Sequence, residues 1–178
     1  GVLTLRPVVV DEGPERLAGL VRTAVGRELD AERLPIVLGG EHSVSIGAIE
    51  AAAERFPGLG ILQVDAHADT RESYEGSTHN HACVMARARE HGPIVQVGIR
   101  SLDASELEGL DLDRVFFAHD IVAARGTPRA RDWMDAAVAR LPEHVYLTID
   151  LDGLDPSIVP CTGTPEPGGL TWDEVTGL

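Results

Sequence analysis

The sequence predicts an α/β protein, a three-layer α/β/α arrangement around a central, mainly parallel sheet. Two observations carry this. Short apolar runs alternate with helical patterns along the whole chain, the signature of βαβ units whose sheet is covered on both faces. Polar residues of catalytic type follow three of those apolar runs, each time on the carboxyl side, where such sheets place their active regions.

In order, Val8-Val9-Val10 is a candidate short strand, and Pro14 suits a first helical turn. From Glu15 to Leu29 the apolar residues Leu17, Leu20, Val21, Ala24, Val25 and Leu29 keep a helical period. Pro35-Ile36-Val37-Leu38, closed by Gly39-Gly40, reads as a buried strand, and the Ala-rich stretch Ser43 to Arg55 as a helix. Leu59 to Val64 is a strand, residues 65–79 a polar loop, Asn80 to Glu90 a helix stopped by Gly92-Pro93, and Ile94 to Val97 a strand. A short helix over Ser105 to Gly109, a strand over Arg114 to Ala118, a helix over Arg129 to Arg140 and a strand over His144 to Ile149 complete the pattern. Residue 1 is Gly, and a T-x-x-E capping box at Thr171 opens a helix that stops after about two turns. Residues 1–178 are therefore expected to form a single domain that is a fragment, incomplete at both ends.

Composition narrows the function. The 178 residues are 43% hydrophobic and 25% charged, ordinary globular material, with a net charge of -14. That charge argues against nucleic acid and anionic membrane as partners and is compatible with a cationic substrate. Cys83 and Cys161 are too few for a disulfide framework, so a reducing, cytoplasmic setting is expected.

The chemistry centres on Asp65-Ala66-His67-Ala68-Asp69, directly after a strand. In extended chain, alternate residues share a side, so Asp65, His67 and Asp69 converge. Two carboxylates and an imidazole crowded together favour a bound divalent cation, although a lone D-x-H-x-D is equally a solvated loop. His42 after strand 36–38, and Asp150 and Asp152 after the last strand, bring the candidate ligands to two imidazoles and four carboxylates. This is too many for one ordinary site; two metals sharing carboxylates fit, and the oxygen-rich set favours Mn²⁺ over Zn²⁺. Such a pair lowers the pKa of a water, which predicts metal-assisted hydrolysis. Asp155 before Pro156 reads as a turn residue, His79 as a loop histidine without a role, and His91, His119 and His144 as structural or exposed.

Together, Gly39-Gly40-Glu41-His42-Ser43, Asp65-Ala66-His67-Ala68-Asp69, Asp150-Leu151-Asp152-Gly153-Leu154-Asp155-Pro156 and Gly163-Thr164-Pro165-Glu166-Pro167-Gly168-Gly169-Leu170 resemble the ureohydrolases, the arginase/agmatinase family. The resemblance implies a binuclear manganese hydrolase. His42, Asp65, Asp69 and Asp150 would hold one ion; Asp65, His67, Asp150 and Asp152 would hold the other, with Asp65 and Asp150 bridging. A bridging hydroxide would attack a guanidinium carbon, giving urea and an amine. His81 falls where the family keeps its proton-shuttling histidine, so His81 and Asp69 are the expected catalytic residues. Arg71-Glu72-Ser73-Tyr74-Glu75-Gly76 and Pro165-Glu166-Pro167 look like the agmatinase branch, whose reaction converts agmatine to putrescine and urea in polyamine biosynthesis. Two Mn²⁺ per chain, a small cationic guanidino substrate and a homo-oligomer are the expectations; guanidinobutyrase, formimidoylglutamase, arginase, a single-zinc amide deacetylase and an inactive metal-binding subunit are the alternatives.

Asp103 and Glu106 stand where arginases keep carboxylates near the substrate's amino end, but they also read as helix-start charges. Arg100 reads as structural. Two departures from the family stand out. Cys161 replaces a usual Gly, which strains a turn if its φ is positive. The family also holds the guanidinium with a Glu from a strand after the Gly-Gly-Leu motif; the sequence ends before one, and Glu174 lies on the predicted helix instead.

Overall fold

The computed structural model describes residues 1–178. Four strands, β1 (Gly60–Val64), β2 (Ile94–Ile99), β3 (Val115–Phe117) and β4 (Val145–Ile149), form one parallel sheet in the order β3-β2-β1-β4. The helices are α1 (Pro14–Asp30), α2 (Val44–Arg55), α3 (Val84–Ala88), α4 (Ala118–Ala124), α5 (Asp132–Val138) and α6 (Trp172–Gly177).

Strand alternation sorts the core onto two faces. Ile61 packs with Ala18, Ile46, Ile49, Val84, Met85 and Ala88, so α1, α2 and α3 cover one face. Its neighbours Leu62 and Val64 point the other way, with Val95, Val97, Ile121, Ala137 and Leu170, against α4 and α5. These are the three expected layers. The connections from β1 to β3 step outward in one direction, and β4 then returns to the far side of β1. The carboxyl ends of β1 and β4 thus flank the point where the winding reverses, the place where open parallel sheets open a crevice.

Several elements differ from the sequence reading. Val8–Val10 forms no strand, and Val8 and Val9 are exposed. The helix expected over Asn80–Glu90 begins as a tight 3₁₀ turn, His81–Cys83, before α3; that expected over Arg129–Arg140 shrinks to α5; and Ser105–Gly109 lies within a 3₁₀ segment, Ala104–Gly109. Helix α4 had no sequence signal, because Ala118–Ala124 directly follows β3 and reads as its continuation. The largest difference is Pro35–Leu38. Residues 34–40 take part in no backbone hydrogen bond, and Ile36 and Leu38 are 78% and 93% exposed. An apolar run has strand character whether or not a neighbour is present to pair with it. Here β4 pairs only with β1, and its other edge, with Val145, Leu147 and Ile149 exposed, faces residues 34–38 across a cavity of about 880 Å³.

Helices α1 and α2 cross closely because residue 47 is glycine: a Cβ there would sit 1.9 Å from the carbonyl oxygen of Ala18. Gly47→Val is expected to push the helices apart and cost about 1–3 kcal/mol, the usual penalty for overpacking, read as a lower urea midpoint with an unchanged slope.

Candidate metal centre

Asp65 follows β1 and is 1% exposed. Its two oxygens face different neighbours. Oδ2 lies 3.1 Å from His42 Nδ1, and Oδ1 lies 3.6 Å from His67 Nδ1 and accepts the His67 backbone N–H at 2.7 Å. Around Oδ2, His42 Nδ1 is also 2.7 Å from Asp69 Oδ2; around Oδ1, His67 Nδ1 is 3.2 Å from Asp152 Oδ2. Two groups result, His42-Asp65-Asp69 and Asp65-His67-Asp152, each with its ligand atoms within 4.8 Å of one another and Asp65 common to both. Asp150 stands at their margin, Oδ2 3.9 Å from His42 Nδ1, while its Oδ1 accepts the Asp152 N–H. All six residues and His81 line one cleft of about 530 Å³ at the carboxyl edge of the sheet.

The local backbone explains the convergence. Asp69 has φ +54°, a left-handed conformation that Asp tolerates better than most residues. Its carbonyl accepts the N–H groups of Met85 and Ala86, so the start of α3 holds the turn. Beneath the cleft the Arg100 guanidinium donates to the carbonyls of Asp152 (2.6 Å), Glu166 (2.7 Å), Gly98 (3.0 Å) and Pro167 (3.1 Å). Burial lowers its pKa, and its nearest partners are carbonyls, so it ties loops together instead of neutralising the acids.

The acids and imidazoles perturb one another strongly. Burial opposes charge on both His42 and Asp65. Mutual hydrogen bonding outweighs it, holding His42 well above its ordinary value and Asp65 well below. Hydrogen bonds to Asp152 and Asp65 raise His67 to about 10. Burial pushes Asp69 and Asp150 upward, with Asp65 adding to both. The donor set of imidazole nitrogens and carboxylate oxygens, drawn together around one buried carboxylate, suits divalent ions.

Sequence reasoning missed the groups behind the ligands. Thr148 Oγ1 is 2.9 Å from His42 Nε2, which leaves Nδ1 to face the carboxylates. Thr164 donates to Asp152 Oδ2 at 2.9 Å, and Gln63 donates to Asp65 Oδ2 at 2.8 Å. Thr148 and Gln63 do have a signal: each is a polar residue in an apolar strand, two positions before a candidate ligand and therefore on its side.

Other expectations resolve individually. Asp103 caps the 3₁₀ segment by accepting from the Ser105 N–H. Glu106, buried, accepts the N–H groups of Thr70 and Asp103, so both serve as helix-start charges although they line the cleft. Asp155 is a turn residue bonded to the N–H groups of Ser157, Gly168 and Gly169. Glu174 caps α6 and pairs with Arg125. Cys161 does not have a positive φ, so the strain considered for it does not arise. His81 lines the cleft, Nδ1 3.6 Å from a Glu41 oxygen and edge-on to the Tyr74 ring, and the Arg71 guanidinium lies over that same ring, 4.9 Å from its centroid. No helix is long and apolar enough to cross a membrane.

A parallel α/β sheet with a His- and Asp-lined cleft at its winding reversal defines the class: an α/β protein with a candidate two-ion centre. Comparison with known proteins narrows this. Residues 4–178 match the arginase family, and the chain belongs to it. It is 34% identical to an N(1)-aminopropylagmatine ureohydrolase of Synechocystis sp., over 98% of this chain and 58% of that protein. It is 40% identical to an agmatinase of Pyrococcus horikoshii, over 84% and 50%. Among solved structures, the agmatine ureohydrolase of Thermoplasma volcanium superposes with a TM-score of 0.80 at 36% identity, covering 94% of this chain and 56% of that one. The chain thus spans little more than half the length of these relatives.

The raised groups give a pH signature. Groups whose pKa is raised in the fold, His67 foremost and with it His42, Asp69 and Asp150, contribute stability that is lost as pH rises. The His67 contribution is whole below its ordinary 6.5 and lost as pH climbs through about 10. Urea midpoints of the metal-stripped protein are expected to decline from pH 6 to pH 10, and to decline less in His67→Ala.

Proposed function

We infer that this chain carries the metal-binding part of a guanidino-group hydrolase of the agmatinase type. The observation that supports this most is Asp65 presenting one oxygen to each of two His–carboxylate groups. His42, Asp65, Asp69 and Asp150 would hold one Mn²⁺, and Asp65, His67, Asp150 and Asp152 the other. When bound, two such ions supply a nucleophile from water near neutral pH.

The chain's own residues do the rest. Glu41, Asp103 and Asp150 give the cleft an acidic wall that suits a cationic guanidinium and a distal amine. His81, whose Nδ1 lies 3.6 Å from a Glu41 oxygen, would pass a proton to the departing amine. The names of the relatives, agmatinase and N(1)-aminopropylagmatine ureohydrolase, support a guanidine that lacks arginine's carboxylate, with agmatine cleaved to putrescine and urea as the first choice. Where arginases carry Asn, Arg71 instead lies over Tyr74, consistent with a substrate lacking an α-carboxylate. A single-zinc deacetylase is less well supported, because it needs only one of the two groups. A homo-oligomer in the cytoplasm completes the reading.

Urea release with Mn²⁺ from agmatine, N1-aminopropylagmatine, arginine and guanidinobutyrate tests this in the full-length protein. Agmatine or its aminopropyl derivative is expected to be the best substrate, and arginine the best substrate would overturn the agmatinase assignment. Asp65→Asn should lower turnover at least ~100-fold, the upper end for disturbing a metal's surroundings.

A further inference from the structure

Two glutamines lie beneath the cleft, paired across the sheet. Gln63 of β1 and Gln96 of β2 are register partners, 0% and 3% exposed, in strands that are otherwise apolar apart from a glycine at each. Burying two primary amides is costly unless every N–H finds an acceptor. Here all four do. Gln96 Nε2 donates to Gln63 Oε1 (2.6 Å) and to the Ala68 carbonyl (2.9 Å). Gln63 Nε2 donates to Asp65 Oδ2 (2.8 Å) and to the His67 carbonyl (3.2 Å).

The direction of this ladder is fixed. Only an N–H group can face the Ala68 carbonyl, so the Gln96 amide has one orientation. Its second N–H then demands the oxygen of Gln63, which turns the Gln63 nitrogen toward Asp65. A flipped Gln63 would set its oxygen against both the Asp65 carboxylate and the His67 carbonyl. We propose that Gln63, oriented by Gln96, is a positioning residue that fixes the Asp65 carboxylate with one oxygen toward each ligand group, and so controls the binding of both metal ions. As a neutral donor it orients the carboxylate without competing for its charge, which a lysine or arginine in its place would do. Thr148 differs: among the candidate ligands its hydroxyl meets only His42, and so bears on one ion alone. The proposal rests on the two-ion reading above.

The test is calorimetric titration of Mn²⁺ into the metal-stripped full-length protein, with free Mn²⁺ counted by electron paramagnetic resonance. The wild type is measured first; fewer than two bound ions would overturn the two-ion reading itself, and this one with it. Given two ions, Gln63→Met is expected to weaken both binding steps by about 10–100-fold, the range for groups that orient metal ligands, while Thr148→Val weakens one. Loss at one step only, or at neither, in Gln63→Met would overturn the proposal. A purely structural role would lower the melting temperature of the metal-free protein and leave both dissociation constants unchanged. Should Gln63→Met not fold, Gln96→Met replaces it: weaker binding at both steps supports the proposal, and unchanged binding overturns it.

Discussion

A carboxylate almost fully removed from water is the constraint on which this structure turns. Asp65 has its charge stabilised by hydrogen bonding to His42 and His67 against a large cost of burial. Most of the surrounding architecture serves to make that burial tolerable. The backbone of His67 and the amide of Gln63 occupy its oxygens, α3 holds the left-handed turn at Asp69, and two imidazoles approach from opposite sides. A buried anion flanked by further carboxylates and imidazoles is a donor set suited to cations.

Topology decides where that place is. Because β4 lies on the opposite side of β1 from β2 and β3, the loops after β1 and β4 separate to make room for a cleft instead of crossing one another. Close backbone approach then sets the depth. Gly98, at φ +92°, takes a conformation that disfavours any side chain, and a Cβ there would press on the Asp65 carbonyl oxygen at 3.0 Å. The membership of the chain in the arginase family agrees with this placement, since the matched residues run from 4 to 178 and include each loop at the carboxyl edge.

Much of this was legible in the sequence, because it was periodic or clustered. The spacing of Asp65, His67 and Asp69 placed them on one side of an extended segment, and the structure brings them to one cleft with His42, Asp150 and Asp152. The T-x-x-E pattern at Thr171 produced a capping box. What escaped depends on partners far away in the chain. Pro35–Leu38 has every local property of a strand and no hydrogen-bonded neighbour, which no local pattern can reveal. Asp150 sits apart from the tighter groups because its Oδ1 is engaged in starting the 3₁₀ turn at Leu151–Gly153. Gln63 and Gln96 are 33 residues apart, and only the register of β1 with β2 makes them neighbours.

Arg100 shows what this dependence means for how the molecule is made. Its guanidinium gathers carbonyls that lie 52 to 67 residues further along the chain, besides one beside it in β2. None of those bonds forms until the polypeptide has closed loops of that size, a step whose entropic cost must be met before the contacts repay it. The floor under Asp152 is therefore held by contacts of long sequence separation, whose closure is costly in entropy. A place to hold an ion is thus a property of contacts assembled across the chain and of no local segment by itself.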